Sequence, residues 1–380
     1  MNQLRVLHVY RTYYPDPPGG LQEAIRQITV ATSDSNIKSR IFALSPFPEP
    51  QDIYRPEARV TRCKSWAAPA SCDLGGGAAI KCFSESASWA DVINYHFPWP
   101  FADLLHFIVR PIAPAVMTYH SDIVRQRWLG RAYSPLMHHM LRSMSAVIAT
   151  SPAYARTSGV LSAPELSDRI RVIPLGIDER TYSQNSENEE LQRFDVKDDA
   201  PFFLFIGVLR YYKGLHNLIQ AAALIDAPVI IAGSGPEEAN LRLQVLQLGL
   251  KNVVFAGQIS DAEKVALLKK CCALVLPSHL RSEAYGMVLV EASMFCKPMI
   301  SCEIGTGTSY VNIDAETGVV VPPDNPFELA MAMNRLAKDR KLALQFGTAA
   351  RVRYEDNFSG GALGRAYSNL YREVAKSQRQ

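Results

Sequence analysis

The 380-residue sequence lacks any apolar run long enough to cross a bilayer. Its most apolar long segment, 103–117, is cut by His106, Arg110, Pro111 and Pro114, well short of the roughly 18 to 20 uninterrupted residues that a span needs. The opening MNQLRVLHVYRTYYP is interrupted by Arg5 and His8 and has no small-residue cleavage site, so it reads as a first β-strand and not a signal peptide. Crossing a membrane is excluded; lying on one is not. Cysteine is sparse: seven residues, at 63, 72, 82, 271, 272, 296 and 302, form no C-x-x-C pair. An odd count in a long chain is a poor disulfide framework and points to a reducing, cytoplasmic compartment. Charge of one sign is missing too, with 40 Lys+Arg against 37 Asp+Glu leaving +3. That balance gives no ground for nucleic-acid binding, and any basic function must be local. A full Walker A, a G-x-S-x-G elbow and an Asp-x-Asp pair with hydrophobic flanks are all absent, which removes P-loop hydrolysis and α/β-hydrolase chemistry and leaves no metal site. Asp198-Asp199 lies in a polar stretch and reads as solvated charge.

What is present is an ordinary globular composition, 48% hydrophobic and 20% charged, which excludes disorder, collagen and coiled coil and, at this length, suggests two domains. Short apolar runs alternate with longer amphipathic stretches, the pattern of βα units around a parallel sheet. In the first half, strands are expected at 4–9, 39–44, 91–95, 115–119, 146–150 and 170–173, with helices at 20–32, 99–108, 134–143 and 152–161. Residues 174–200 are polar, contain Pro174 and Gly176, and read as a linker and turn region. A second series follows: strands 202–208, 229–232, 253–256, 273–276, 299–302 and 319–321, and helices 214–225, 236–247, 261–270, 286–295 and 326–338. The fold expected is α/β, two doubly wound Rossmann-like domains facing each other across a cleft. Ligands of such sheets bind beyond the carboxyl ends of the strands, so functional residues should stand just after them.

Unusual residues cluster there. After the first strand, YRTYYPDPPGGLQEAI ends in Gly19-Gly20 before a helix, where backbone N–H groups could approach an anion or simply turn and cap. FFLFIGVLRYYKGLHNLI places Gly207 at a strand end and Arg210 and Lys213 before a helix, two cations suited to a pyrophosphate or to a solvated basic turn. IIAGSGPEEANL repeats the logic with Gly233 and Gly235, half of a dinucleotide fingerprint. The most specific segment is LPSHLRSEAYGMVLVEASMFCKPMISC, in which Glu283 falls in a strand-to-helix loop and Glu291 about a turn and a half into an apolar helix. A carboxylate amid Val288, Leu289, Val290, Ala292 and Met294 needs a definite partner unless it faces the surface. Strand 115–119 ends in His120, placed to donate a hydrogen bond, to stabilise charge, or only to pack, and His96 is a weaker candidate of the same kind. Between 104 and 164, Arg110, Arg125, Arg127, Arg131, Arg142 and Arg156 face one acid, Asp122, among Trp128, Leu129, Tyr133, Leu136 and Met137. This segment fits an anionic lipid head group or a lipid diphosphate as well as it fits a solvated basic face on a core helix.

Taken together, the glycine loop, His120, GVLRYYKG, IAGSGP and above all SEAYGMVLVEAS resemble the GT-B glycosyltransferases of family 4 over roughly residues 4–322. The resemblance implies an N-terminal acceptor-binding domain, 1–176, closed by a C-terminal helix, 358–380, and a donor-binding domain, 177–357, with two joints that let the cleft close. It implies that Glu291 bonds the donor ribose, that Glu283 with the backbone of Ala284, Tyr285 and Gly286 holds sugar and phosphates, and that Lys213 neutralises the leaving diphosphate. Gly20 would approach the phosphates and His120 the transferred sugar. Many members carry Arg directly after the glycine; here that position is Val208, and Arg210 stands two places on.

The same resemblance implies a retaining, metal-independent transferase with no cofactor besides its nucleotide-sugar donor. The look of LRYYKGL is nearest to bacterial mannosyl- and rhamnosyltransferases of O-antigen or capsule assembly. That favours a GDP-sugar donor and a lipid-linked saccharide acceptor at the inner face of the cytoplasmic membrane, with peripheral contact to its anionic surface. A UDP-sugar donor, a GT-B sugar-nucleotide epimerase and a non-catalytic sugar or nucleotide binder are the alternatives.

Overall fold

Alternating apolar strands and amphipathic helices build two parallel sheets in the computed structural model, which describes residues 3–16, 19–69, 72–123, 127–182, 194 and 201–378, with backbone alone for 127–132. The chain divides into two units, Met1–Gly176 with Gly360–Gln380, and Ile177–Ser359.

The first unit runs β1 (Leu4–Val9), α1 (Gly20–Ser33), β2 (Ile37–Ser45), β3 (Asp52–Tyr54), β4 (Arg59–Ala67), β5 (Leu74–Gly75), α2 (Gly77–Trp89), β6 (Val92–Phe97), α3 (Pro100–Val109), β7 (Ala115–Tyr119), α4 (Arg127–Ser143), β8 (Ala146–Ala149), α5 (Pro152–Thr157) and β9 (Ile170–Val172). Its sheet has the order β3-β4-β2-β1-β6-β7-β8-β9, with β5 paired to β4. The ladder from β4 to β9 is parallel. The strand order reverses direction between β1 and β6, the position where doubly wound sheets open a crevice.

The second unit runs β10 (Phe203–Ile206), α6 (Leu215–Ala222), β11 (Val229–Ala232), α7 (Glu238–Gln247), β12 (Val253–Gly257), α8 (Asp261–Lys270), β13 (Ala273–Leu276), α9 (Met287–Met294), β14 (Met299–Cys302), α10 (Thr308–Val311), β15 (Gly318–Val321), α11 (Pro326–Lys338) and α12 (Arg340–Asn357). The sheet order β12-β11-β10-β13-β14-β15 reverses between β10 and β13. Central strands β10, β11, β13 and β14 are almost wholly buried, which is why they read as continuous apolar runs.

The last helix, α13 (Gly360–Ser377), belongs to the first unit. Its Leu363, Tyr367, Leu370, Tyr371 and Val374 join Val6, Ile28, Ala31, Val92 and Val116 in one apolar cluster. Two tyrosine hydroxyls satisfy the polar groups beneath the sheet: Asn94 Nδ2 donates to Tyr371 Oη at 2.7 Å, and Thr118 Oγ1 lies 3.2 Å from Tyr367 Oη. Gly364 sets the approach to α1, because a Cβ there would stand 2.1 Å from the Ala31 carbonyl oxygen. Gly364→Ala is therefore expected to wedge α1 from α13 and cost about 1–3 kcal/mol, read as a lower melting temperature; an unchanged melt would show that the helices can part freely.

Three expectations need correction. Residues 46–90 and 340–357, given no elements, hold β3, β4, β5 and α2, and α12; in β4 the adjacent polar pairs Thr61-Arg62 and Lys64-Ser65 break the alternation that marks a strand. Helix 134–143 begins earlier, at Arg127, and carries Pro135 inside it. Helix 152–161 stops at Thr157, where Ser158 turns to extended backbone and its hydroxyl donates to Asp122 at 2.6 Å. Most of the expected linker, including Asp198-Asp199, lies outside the described residues. No helix among the described residues is long and apolar enough to cross a membrane.

Candidate active site

The two strands flanking the second unit's reversal point deliver its central ion pair. Lys213 stands in the turn after β10 and Glu283 in the loop after β13; Lys213 Nζ donates to Glu283 Oε2, and Ser278 Oγ donates to the same oxygen at 3.1 Å. Both side chains are nearly buried, at 12% and 10% exposure. Gly214 makes the approach possible. Its φ of +69° is left-handed, and a Cβ there would stand 2.0 Å from the Pro277 carbonyl oxygen. The His279 N–H closes the same contact by donating to the Tyr212 carbonyl at 3.1 Å. Burial pulls the Lys213 ammonium down, but the Glu283 carboxylate outweighs it and holds Lys213 above its ordinary value. Lys213 is thus a fixed cation at neutral pH.

Glu291 is not on the surface. Its Oε1 accepts from Lys264 Nζ at 3.1 Å and from Tyr182 Oη, and Lys264 Nζ sits 4.7 Å from the centre of the Tyr182 ring. The need of a carboxylate in an apolar helix for a partner was visible in sequence, whereas Lys264 and Tyr182 were not. Lys264 sits in the first turn of α8, behind a Ser260/Glu263 capping box, and looks like any helix-surface lysine.

The glycines are demanded first by chain crossing. A Cβ on Gly233 would meet the Gly207 carbonyl oxygen at 2.0 Å, and one on Gly235 would meet the Leu209 oxygen at 2.4 Å. The ends of β10 and β11 pass too closely for any side chain. Gly286, with φ +83°, caps α9; Tyr285 is buried beside it, and the Ala284 carbonyl accepts from the Gly307 N–H at 2.9 Å. Arg210 is exposed and lines a shallow depression with Tyr211, His216, Glu237 and Gln244. It is not brought into the Lys213–Glu283 contact and acts on Lys213 only through space, slightly opposing its charge.

In the first unit, His120 is the end of a ladder. His8 Nδ1 lies 3.1 Å from His96 Nε2, and His96 Nδ1 lies 2.9 Å from His120 Nε2. All three rings are buried, on β1, on β6 and directly after β7. Burial lowers His8 and His120 to about 3 and His96 well below its ordinary value. With burial holding its pKa that low, His120 is neutral at physiological pH and acts through hydrogen bonding instead of a fixed charge. Each contact needs one N–H and one lone pair, so all three imidazoles must share one tautomer, Nδ1–H throughout or Nε2–H throughout. His8, inside the first strand, gave no signal in sequence, since its partner is 88 residues away. Gly19 caps α1 in extended backbone, and around Gly20 a Cβ would meet nothing within 4 Å.

Of the basic segment, Arg110, Arg142 and Arg156 are exposed. Arg125 lies outside the described residues, as do the side chains of Arg127, Trp128, Leu129 and Arg131. Met137 is buried core, and Asp122 is tied inward by the Tyr119 and Ser158 hydroxyls at 3.0 and 2.6 Å.

Comparison with known proteins agrees with this layout. Residues 186–353 match the family Glycosyl transferases group 1, and residues 18–181 match Glycosyltransferase Family 4. The chain is 41% identical over 375 residues to O-antigen chain mannosyltransferase C of Escherichia coli, covering 99% of this chain and 100% of that one. It is 44% identical over 356 residues to D-rhamnosyltransferase WbpZ of Pseudomonas aeruginosa, covering 94% and 92%. Among solved structures, sucrose-phosphate synthase from Thermosynechococcus elongatus superposes with a TM-score of 0.80 at 22% identity, over 98% of this chain and 100% of that chain. Anabaena HepE in complex with UDP and glucose superposes at 0.77 and 19%, over 97% and 99%. With both sheets doubly wound, the E-x7-E carboxylates paired to lysines, and full-length relatives above 40% identity, this chain belongs to the GT-B glycosyltransferases of family 4.

Proposed function

We propose that this glycosyltransferase is a retaining enzyme that moves mannose or rhamnose from a GDP-sugar to a lipid-linked saccharide in O-antigen assembly. The activities in the names of its mannosyl- and rhamnosyltransferase relatives support the sugar and the process. The observation that carries the chemistry is the buried, permanently charged Lys213 beside Glu283. As the C1–O bond to the diphosphate breaks, positive charge develops on the sugar and negative charge on the phosphate, and a preorganised cation in a water-poor site stabilises the latter. On this reading Lys213 takes the leaving-group charge, without a divalent ion at the reacting centre. Glu283 accepts sugar hydroxyls, Glu291 accepts from the ribose, and the N–H groups around Ala284, Tyr285 and Gly286 hold phosphate at the start of α9. Gly19 and Gly20 approach the phosphates, and His120 bonds a hydroxyl of the transferred sugar. The acceptor oxygen bonds C1 on the face the phosphate leaves, and its proton passes to the departing phosphate oxygen, so no protein nucleophile is required. Exposed Arg110, Arg142 and Arg156 would meet the anionic surface that carries the lipid acceptor.

The test is a panel of GDP-, UDP- and dTDP-sugars with a lipid-linked acceptor in vesicles with and without anionic lipid. The expected result is transfer from a GDP-hexose with retained anomeric configuration, needing no added Mg²⁺ or Mn²⁺ and enhanced by anionic lipid at low salt. Turnover that depends strictly on added Mg²⁺ or Mn²⁺, or preference for a UDP-sugar, would overturn the corresponding part of the reading.

A further inference from the structure

Beside the loops that carry Lys213 and Glu283 lies a second cluster that the transfer chemistry does not use. His216 opens the first turn of α6, His279 lies in the loop after β13, and Asp324 in the turn after β15. One ligand-type atom from each lies within 4.8 Å of the others. His279 is only 7% exposed, yet neither of its ring nitrogens has a hydrogen-bond partner among the described residues. A buried imidazole with both nitrogens unmatched is costly, and here it stands beside a second imidazole and a carboxylate without bonding either.

The surroundings orient the three groups. The Tyr211 ring lies parallel to His216, with centroids 5.4 Å apart and planes 3° apart, and meets His279 edge-on at 4.9 Å. Asn217 Nδ2 donates to Asp324 Oδ1 at 2.9 Å, orienting the carboxylate as the outer partners of metal ligands do. We propose that His216, His279 and Asp324 form a binding site for a divalent ion of the zinc class, which clamps the turn after β10 to the loops after β13 and β15. Two imidazole nitrogens and one carboxylate oxygen suit Zn²⁺, Co²⁺ or Ni²⁺, whereas Mg²⁺ and Ca²⁺ favour all-oxygen sets. With metal–ligand bonds of about 2.0–2.1 Å, the ligand atoms close in by small side-chain rotations, and a fourth position stays open. His216 follows Lys213 by three residues and His279 precedes Glu283 by four, so the ion would hold both loops of the ion pair without touching the reacting atoms.

The experiment reads metal binding and not transfer, so it stands or falls apart from the proposed function. Full-length protein is stripped with chelator, then titrated with Zn²⁺ by calorimetry and with Co²⁺ by visible absorption. The expected result is one ion per chain, Co²⁺ ligand-field bands without a thiolate charge-transfer band, and a melting temperature raised by Zn²⁺. His216→Ala and Asp324→Asn, at sites open enough to leave folding intact, should each weaken binding at least about tenfold, as should Asn217→Ala through the outer contact. His279→Ala, checked for folding by circular dichroism, should abolish it. Absence of stoichiometric binding, a thiolate band that assigns the ion to cysteines, or undiminished binding by the His216 and Asp324 variants would each overturn the proposal.

Discussion

Lys213→Ala is expected to slow the transfer step by about 10²–10³-fold at saturating donor, the loss of about 2.7–4 kcal/mol seen when one preorganised charge-stabilising group is removed. It should also destabilise the second unit, because Glu283 is left nearly buried with Ser278 as its remaining neutral donor. Breaking a buried pair on one side costs about 3–5 kcal/mol. The two losses have different origins and can be separated. In Lys213→Met with Glu283→Gln, neither side chain is charged, so most of the stability should return while transfer stays slow. Urea denaturation of the parent and both variants reads the first quantity, and single-turnover kinetics with saturating donor read the second. If the double variant transfers sugar at close to the parental rate, Lys213 does not hold the leaving group. If Lys213→Ala raises only KM, it binds donor and transition state equally.

The contrast between Lys213 and Lys264 shows what a single sequence can carry. The ends of β1, β7, β11, β13 and β14 were legible to the residue, because a buried parallel strand must be apolar on both faces and is bounded by turn residues. Strand β4 was not, since the adjacent polar pairs Thr61-Arg62 and Lys64-Ser65 break the alternation that marks a half-buried strand, and Arg62 is itself buried. Candidate residues just after strands, such as Lys213, Glu283 and His120, were singled out because the topology of doubly wound sheets puts ligands there, and the fold does set them after β10, β13 and β7. Lys264, Tyr182 and His8 were not, because each matters through a partner distant in the chain: Glu291 for the first two, His96 for the last. The glycines were found for only part of their reason. Gly233 and Gly235 are needed where the ends of β10 and β11 lie against each other, whatever binds beyond them.

Acid should unfold the first unit through its histidine ladder. A histidine is near 6.5 in the unfolded chain, but burial holds His8 and His120 at about 3, His96 well below its ordinary value, and His106 at about 4. The folded form excludes these protons. The stability they contribute is therefore complete above pH 6.5 and drains away as pH falls towards 3. Asp103, raised by burial to about 8, and Asp73, also raised, work in the opposite sense, because they hold protons in the fold that the unfolded chain releases. Four protons gained on unfolding against one or two lost leave about 3–4 kcal/mol per pH unit between pH 6 and 4. Against a domain stability of about 5–15 kcal/mol, the first unit is expected to unfold near pH 4–5. Urea titrations at pH 8, 6 and 5, followed by tyrosine fluorescence, measure the slope. His96→Gln keeps one donor and one acceptor but removes a titrating ring, so it should be less stable at pH 8 and show a slope shallower by about 1.4 kcal/mol per unit. Nitrogen-15 spectra at pH 7.5 give an independent reading: the three imidazoles should appear neutral and in one common tautomer. A parent slope near zero, or a ladder of mixed tautomers, would mean that the three rings are separate core residues and that His120 does not depend on the other two.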